Sequence, residues 1–172
     1  MNRELINIGK KSKKAFSTNI DTNKKNKVLR DYCYLINQNK RLIINQNKKD
    51  IRLSQKKGLN TNLINRLVLN EKKITNIVNT IKSIIKLKDP TSVILEKIKR
   101  PNGLNISKVS IPIGIIGVIY ESRPNVTSDV ASLCFKSGNA VILRGGSEAI
   151  NTNKILSSLF RKALTMNKVN PD

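Results

Sequence analysis

Histidine and tryptophan are absent from the sequence, and its two cysteines, Cys33 and Cys134, lie far apart. A chain without histidine has no His-based catalytic triad and no zinc site of the usual Cys/His kind, so we expect no metal. It also has no run of about 18 apolar residues, which excludes a membrane-spanning helix, and its N-terminus lacks the apolar stretch of a signal peptide. These absences predict a cytoplasmic protein.

Acidic and aromatic residues are scarce as well. The 172 residues include 11 acidic and 33 basic residues, for a net charge of +22, and aromatic residues make up 3%. The chain is rich in Lys, Asn and Ile, which A/T-rich codons encode, so drift of surface positions in an A/T-rich genome explains the charge. A basic nucleic-acid-binding protein is the alternative. We favour drift, because few aromatic residues are interleaved with the cations to stack on bases.

Residues 1–92 have the apolar spacing of helices. Apolar side chains recur every three or four residues over 28–46, which predicts one amphipathic helix there. Gly58 marks a turn, and a short helix follows it. Asn70 is expected to cap a further helix that ends at Pro90. We therefore expect a helical N-terminal region.

The pattern changes after residue 92. Residues 93–110 alternate weakly about a Pro-Asn-Gly turn, which predicts a strand pair. Residues 114–120, GIIGVIY, and 140–146, AVILRGG, are apolar runs typical of buried strands in a parallel sheet, and a helical pattern follows each of them. Residues 111–172 therefore predict an α/β unit. The predicted apolar face of its first helix consists of Val126, Val130, Leu133 and Cys134.

Ligands of parallel sheets bind at the carboxyl ends of the strands, and both predicted ends are polar. After the second strand, Arg144, Gly145 and Gly146 lead to Ser147 and a helix. The two glycines permit close approach to a ligand, the helix amides favour an anion, and Arg144 adds a positive charge. The turn is therefore either a phosphate site or an ordinary glycine-rich turn with a surface arginine. Neither a GxGxxG motif nor a Walker motif is present.

After the first strand, Pro124 stiffens the turn that presents Asn125. The Asn125 side chain either caps the following helix or donates an N–H to a developing oxyanion, and the residues alone favour the cap. Cys134 lies on the predicted apolar face without a cluster of cations to lower its pKa, so we interpret it as structural, like Cys33.

Two segments, GVIYESRPNVT at 117–127 and KSGNAVILRGGSEA at 136–149, resemble the γ-glutamyl phosphate reductase family of the aldehyde dehydrogenase superfamily. The upstream stretches NKVL, GLNTNLINRLVLN and LKDP are similar to the helical N-terminal region of that family, so the resemblance covers essentially the whole chain. It implies a helical region at 1–92, an oligomerisation-type strand pair at 93–110, and the first βαβ of a Rossmann-like NADPH-binding domain at 111–172.

The resemblance implies NADPH-dependent reduction of γ-glutamyl phosphate to glutamate 5-semialdehyde and phosphate, a step of proline biosynthesis. In the family a cysteine thiolate attacks the acyl phosphate, and hydride transfer resolves the thioester. Asn125 matches the asparagine of the oxyanion hole, which shifts our interpretation from cap to oxyanion donor.

The turn after the second strand matches the segment that holds the adenosine ribose of the cofactor. Arg144 is suited to a 2′-phosphate there, which agrees with NADPH. Gly145 and Gly146 belong to the same cofactor-binding segment, and either Ser147 or Glu148 is expected to meet the ribose hydroxyls.

The chain differs from the family in length, because it is less than half as long. The resemblance implies that the catalytic domain is absent and that the nucleophilic cysteine lies beyond residue 172, since Cys134 does not match it. We expect a truncated enzyme, or one half of a split enzyme with a separate C-terminal half, that is inactive alone; an inactive remnant is the alternative. The full enzyme is expected to be a homo-oligomer. The isolated 172 residues are expected to aggregate, because part of the sheet would be exposed.

Overall fold

The computed structural model describes residues 3–16 and 20–172. The first part is helical, with α1 over Arg3–Phe16, α2 over Thr22–Gln38, α3 over Lys40–Lys56, α4 over Thr61–Leu67 and α5 over Glu71–Lys86. The second part contains β1 over Ile94–Lys99, β2 over Asn105–Val109, β3 over Ile115–Tyr120, α6 over Asn125–Lys136, β4 over Ala140–Gly145 and α7 over Ile150–Met166. A single 3-10 turn, Ser147–Ala149, precedes α7. In the described ranges no helix is long and apolar enough to cross a membrane.

Side-chain caps begin α2, α4 and α5, and the cap of α4 is Asn60, whose side chain accepts from the N–H of Asn62. The carboxylate of Asp21 accepts from the backbone N–H of Lys24 at the start of α2. At the start of α5, the Asn70 side chain accepts from the N–H of Lys73, which confirms the predicted cap. Each side-chain oxygen satisfies one of the amides that a helix leaves unpaired at its N-terminus.

Two helix boundaries differ from the predicted ones. The single helix expected over 28–46 is two helices, because α2 ends at Gln38 and α3 begins at Lys40, with Asn39 between them. The Asn39 side chain donates to the carbonyl of Leu35 at 2.7 Å, a local bond that competes with continuation of the helix. The later helix, α5, ends at Lys86, four residues before Pro90, since Leu87 is already extended.

The core lies where α2 packs between α5 and α7. It is aliphatic apart from a short aromatic cluster, in which Phe160 makes edge-to-face contacts with Tyr32 and Phe135. The fully buried apolar side chains include Val28, Leu29, Ile36, Ile43, Ile74, Ile81 and Leu156. Apolar periodicity in the helices, rather than aromatic content, therefore supplies the burial that stabilises this fold.

The predicted strand pair is confirmed as an antiparallel hairpin of β1 and β2. Gly103, with φ of +87°, sits in the turn, a conformation that glycine adopts without a steric penalty. Every residue of the two strands is exposed. The hairpin therefore projects from the helical body.

β3 and β4 form a two-stranded parallel sheet, connected through α6 as predicted. The prediction that both strands are buried is wrong. Ile119 is 73% exposed and alternate residues of β3 face solvent, because no described element covers that side of the strand.

The predicted apolar face of α6 is also partly wrong, since Leu133 is 47% exposed. Cys134 is buried as expected, and α6 contacts α5 and α7. The other buried side chains of α6 are mostly small or polar: Thr127, Ser128, Ala131, Ser132, Phe135 and Lys136. The helix ends at Lys136, and just beyond it the amides of Gly138 and Asn139 donate back to the carbonyls of Phe135 and Cys134.

Candidate active site

The carboxyl ends of β3 and β4 lie side by side, because the register pairs Tyr120 with Gly145. Beyond Tyr120 the chain turns at Ser122, whose φ of +46° is left-handed. The backbone N–H and the hydroxyl of Ser122 both donate to Oε1 of Glu148. One carboxylate therefore joins the two polar turns that the sequence singles out.

Gly145, the last residue of β4, and Gly146, which follows it, leave room for this close approach. A Cβ at Gly146 would collide with the carboxylate of Glu148, and one at Gly145 would collide with the side chains of Asn153 and Tyr120. From the sequence, these glycines are interpreted as residues that let a ligand approach the backbone closely. In the structure the space beside them is filled first by the protein's own side chains.

Hydrogen bonds among Tyr120, Thr127 and Asn153 connect the end of β3 to the two helices that follow it. The hydroxyls of Tyr120 and Thr127 are 2.6 Å apart, and Thr127 donates to Oδ1 of Asn153 at 3.0 Å. Burial raises the pKa of Tyr120, partly offset by its bond to Thr127, so the phenol stays neutral. The end of β3 is thereby fixed to both α6 and α7.

The N-terminus of α7 is already occupied by a side chain of the protein. Asp50 from α3 accepts from the backbone N–H of Asn151 at 3.1 Å and of Thr152 at 2.7 Å. It also accepts from the side chains of the same two residues, at 2.8 and 2.7 Å. The expectation that free helix amides attract a phosphate here is therefore wrong, because an internal carboxylate satisfies them.

The side chains left to meet a ligand at this turn are those of Arg144, Ser147 and Glu148. Arg144 and Ser147 are exposed, and Glu148 is half-buried. A guanidinium, a hydroxyl and a carboxylate together can bind a phosphate and sugar hydroxyls. The structure therefore brings all the predicted cofactor-binding residues to one edge of the sheet.

Asn125 is the first residue of α6, and its side chain does not cap that helix. Its Nδ2 instead donates to Oδ2 of Asp129, one helical turn further on, at 2.9 Å. A carboxamide nitrogen carries two N–H groups, so one remains for another acceptor. The capping interpretation is therefore wrong, whereas the oxyanion role stays a prediction.

A cleft of about 290 Å³ opens beside Asn125. Its charged lining consists of Arg66, Lys73, Arg123 and Asp129. Burial raises the pKa of Asp129, and the bond from Asn125 opposes that rise. The cleft therefore holds charges of both signs next to the predicted oxyanion donor.

Neither cysteine has the surroundings of a nucleophile. Cys33 and Cys134 are both buried. Burial raises the pKa of Cys33 to about 11 and that of Cys134 in the same direction, which keeps both thiols protonated. In the part of the chain that the structure describes, no group of three Cys, Asp or Glu side chains is arranged to hold a metal ion.

Sequence reasoning missed Asp50, Ser122 and Asp129. The partners of Asp50 lie 101 and 102 residues away along the chain, so no local pattern reveals them. Ser122 and Glu148 are 26 residues apart along the chain, so their link is also outside any local pattern. Asp129 was within reach of sequence reasoning, because a residue four positions after Asn125 lies on the same face of a helix.

Comparisons of the sequence and of the structure with known proteins find the same kind of protein. Over 165 residues the chain is 47% identical to a γ-glutamyl phosphate reductase from Clostridium tetani, covering 95% of this chain and 39% of that relative. The crystal structure of the Thermotoga maritima γ-glutamyl phosphate reductase matches with a TM-score of 0.95 and 37% identity, covering 98% of this chain and 41% of that one. The chain is homologous to part of γ-glutamyl phosphate reductase. It spans about two fifths of the length of the curated relatives it matches.

A probable aldehyde dehydrogenase from Listeria monocytogenes shares the fold, with a TM-score of 0.66 at 13% identity, over 98% of this chain and 35% of the other. No family model matches the sequence. The α/β fold is therefore the one found in the N-terminal part of γ-glutamyl phosphate reductases and aldehyde dehydrogenases.

Proposed function

We propose that this chain is part of an enzyme that reduces γ-glutamyl phosphate to glutamate 5-semialdehyde and phosphate, with NADPH as the reductant. The proposal rests on the similarity to the Clostridium tetani γ-glutamyl phosphate reductase along 95% of the chain. Because the chain spans 39% of that relative, it supplies one portion of the site rather than all of it.

The edge formed by the ends of β3 and β4 is the proposed place for the adenosine end of the cofactor, in a Rossmann-like unit formed by residues 111–172. A nicotinamide cofactor supplies a hydride when bound. Arg144 is exposed at the end of β4, where its guanidinium can bind a 2′-phosphate in two parallel hydrogen bonds. Ser147 or Glu148 would meet the ribose hydroxyls.

Asn125 is the proposed oxyanion donor. Its bond to Asp129 fixes the carboxamide so that the amino group, rather than the carbonyl, lies on that side. The second N–H is then oriented before the substrate arrives, which is the condition under which such a donor lowers the barrier. The nucleophilic thiol must come from outside these 172 residues, because Cys33 and Cys134 are buried and protonated.

A hybrid protein tests this proposal. Residues 1–172 replace the matching segment of the Clostridium tetani reductase, and NADPH oxidation is followed with γ-glutamyl phosphate. We expect turnover by the hybrid and none by residues 1–172 alone. Asn125→Ala should lower kcat about 100-fold or more. The control, Asn37→Ala, changes an exposed asparagine of α2 and should leave kcat unchanged.

The outcomes separate the parts of the proposal. A folded but inactive hybrid would show that the chain cannot supply this portion of the enzyme. An active hybrid that tolerates Asn125→Ala would remove Asn125 from the oxyanion hole. Arg144→Gln should raise KM for NADPH more than KM for NADH, and an equal change would exclude contact with the 2′-phosphate.

A further inference from the structure

The cleft beside Asn125 presents two unpaired cations. Arg66, at the end of α4, and Arg123, just before α6, line it, and both side chains are exposed. Across residues 3–16 and 20–172, neither guanidinium forms an ion pair with a carboxylate. The third cation, Lys73, is held in the wall, because its Nζ donates to the carbonyl of Val68 at 2.7 Å and of Asn65 at 3.2 Å.

The same cleft presents one carboxylate. Asp129 accepts from Asn125 through Oδ2, while its Oδ1 is buried without a hydrogen-bond partner. A buried carboxylate oxygen without a partner is unfavourable, because it has lost its hydrogen bonds to water and no protein donor replaces them. A cationic group bound in the cleft would offset that loss by pairing with the carboxylate.

The spacing of these groups limits what can bind. Asn125 and Asp129 are one helical turn apart and are joined by a bond of 2.9 Å. In a glutamyl group the reacting carbonyl carbon and the α-carbon are separated by three carbon–carbon bonds, roughly 4 Å when extended. One ligand can therefore place its carbonyl at Asn125 and its α-ammonium beside Asp129.

We propose that this cleft recognises the α-amino acid end of a glutamyl substrate, with the Asp129 carboxylate pairing with the ammonium and Arg66 and Arg123 binding the carboxylate. The inference rests on the proposed function and adds the residues that select the substrate. It explains why a cleft next to an acyl-transfer position carries both signs of charge, which a site for a simple aliphatic acyl group would not need.

Three small ligands distinguish recognition from general attraction to a basic protein. L-Glutamate has the ammonium and both carboxylates. Glutarate lacks only the ammonium, and 4-aminobutyrate lacks only the α-carboxylate. A net charge of +22 by itself favours glutarate, the most anionic of the three. The cleft as we describe it favours L-glutamate.

The test is a titration of the ¹⁵N-labelled hybrid protein at constant ionic strength, following the side-chain amide signal of Asn125. We expect L-glutamate to shift this signal with a Kd at least tenfold lower than that of glutarate or 4-aminobutyrate. Asp129→Asn keeps an oxygen that can accept from Asn125 but removes the charge, so it should abolish the preference for L-glutamate over glutarate. Arg123→Gln should weaken L-glutamate binding, whereas Arg41→Gln, an exposed arginine of α3, should not.

Equal or tighter binding of glutarate would overturn the inference, and so would the absence of any shift with L-glutamate. The ligand comparison uses the hybrid without further substitutions, so it holds even if a variant fails to fold. In the hybrid, Asp129→Asn should raise KM for γ-glutamyl phosphate more than it lowers kcat. An active hybrid in which KM is unchanged would reject the recognition cleft and leave the proposed function standing.

Discussion

At the scale of single residues, Asp50 connects two distant parts of the chain. It is 1% exposed, and its carboxylate accepts four hydrogen bonds from Asn151 and Thr152 at the start of α7. Asp50→Asn removes the charge and replaces one acceptor by a donor that faces other donors. We expect the free energy of unfolding to fall by about 2–4 kcal/mol, measured by urea denaturation.

The matched control for Asp50 is Glu96→Gln, a similar loss of charge on an exposed strand residue. It should change the free energy of unfolding by less than about 0.5 kcal/mol. If both variants unfold at the same urea concentration, α3 and α7 are held together by their apolar contacts alone.

Asp89 gives a prediction about pH. Burial alone would raise its pKa, but hydrogen bonds from Thr91, Lys25 and Thr22 outweigh burial and hold the pKa well below its usual range. Because the pKa of Asp89 is lower in the folded than in the unfolded state, its ionised carboxylate stabilises the folded protein at pH values above the unfolded pKa of about 4. This stabilisation is lost as the pH falls toward the folded-state pKa.

Asp89→Asn should therefore be less stable than the unaltered chain at pH 7, and the difference should shrink between pH 4 and pH 2.5. The comparison is of urea midpoints for the two proteins along this series. A difference that stays constant with pH would mean that Asp89 acts by packing rather than by its charge.

At the scale of elements, the sequence predicted what local spacing controls. Asn70 caps α5, the hairpin forms about its Pro-Asn-Gly turn, and β3 pairs in parallel with β4. The features that were not predicted depend on contacts between segments that are distant along the chain. Leu133 belongs to an apolar pattern yet is 47% exposed, whereas the polar Thr127, Ser128 and Ser132 of the same helix are buried.

In the candidate site, too, the features that depend on local sequence were predicted and the contacts between distant segments were not. Arg144 was placed correctly at the end of a strand, and Glu148 in the turn that follows, because a strand followed by a turn is visible in the sequence. The filling of the α7 N-terminus by Asp50 was not visible, since it depends on how α3 packs against α7. Local chemistry could thus be predicted, whereas the internal partners that satisfy it could not.

The hairpin of β1 and β2 carries its own prediction. Two strands alone are marginally stable in water, and Ile98 and Ile106, directly paired across them, are 37% and 40% exposed. We propose that this face is covered by a second copy of the protein. In the hybrid, Ile98→Lys should lower the oligomeric state measured by analytical ultracentrifugation. Lys97→Gln, on the opposite face, should not change it, and unchanged assembly in both variants would place the contact elsewhere.

At the scale of the whole molecule, repulsion between positive charges competes with exposed apolar surface. The net charge of +22 disfavours association at low ionic strength. Ile113 and Ile119, which are 86% and 73% exposed before and within β3, favour it. Salt shortens the range of repulsion from about 30 Å at 0.01 M to about 8 Å at 0.15 M and leaves apolar attraction intact.

Light scattering from the isolated 172 residues should therefore rise as NaCl increases from about 0.01 to 0.3 M, because only the repulsive contribution is screened. Ile119→Thr should reduce this rise, since it removes apolar surface from the uncovered side of β3. Leu53→Thr, at a side chain that is 50% exposed on α3, is the control and should have little effect. A chain that stays monomeric at every salt concentration would show that the uncovered side of β3 does not cause association. Scattering that falls with salt would point instead to association through the charges themselves, as with a bound polyanion.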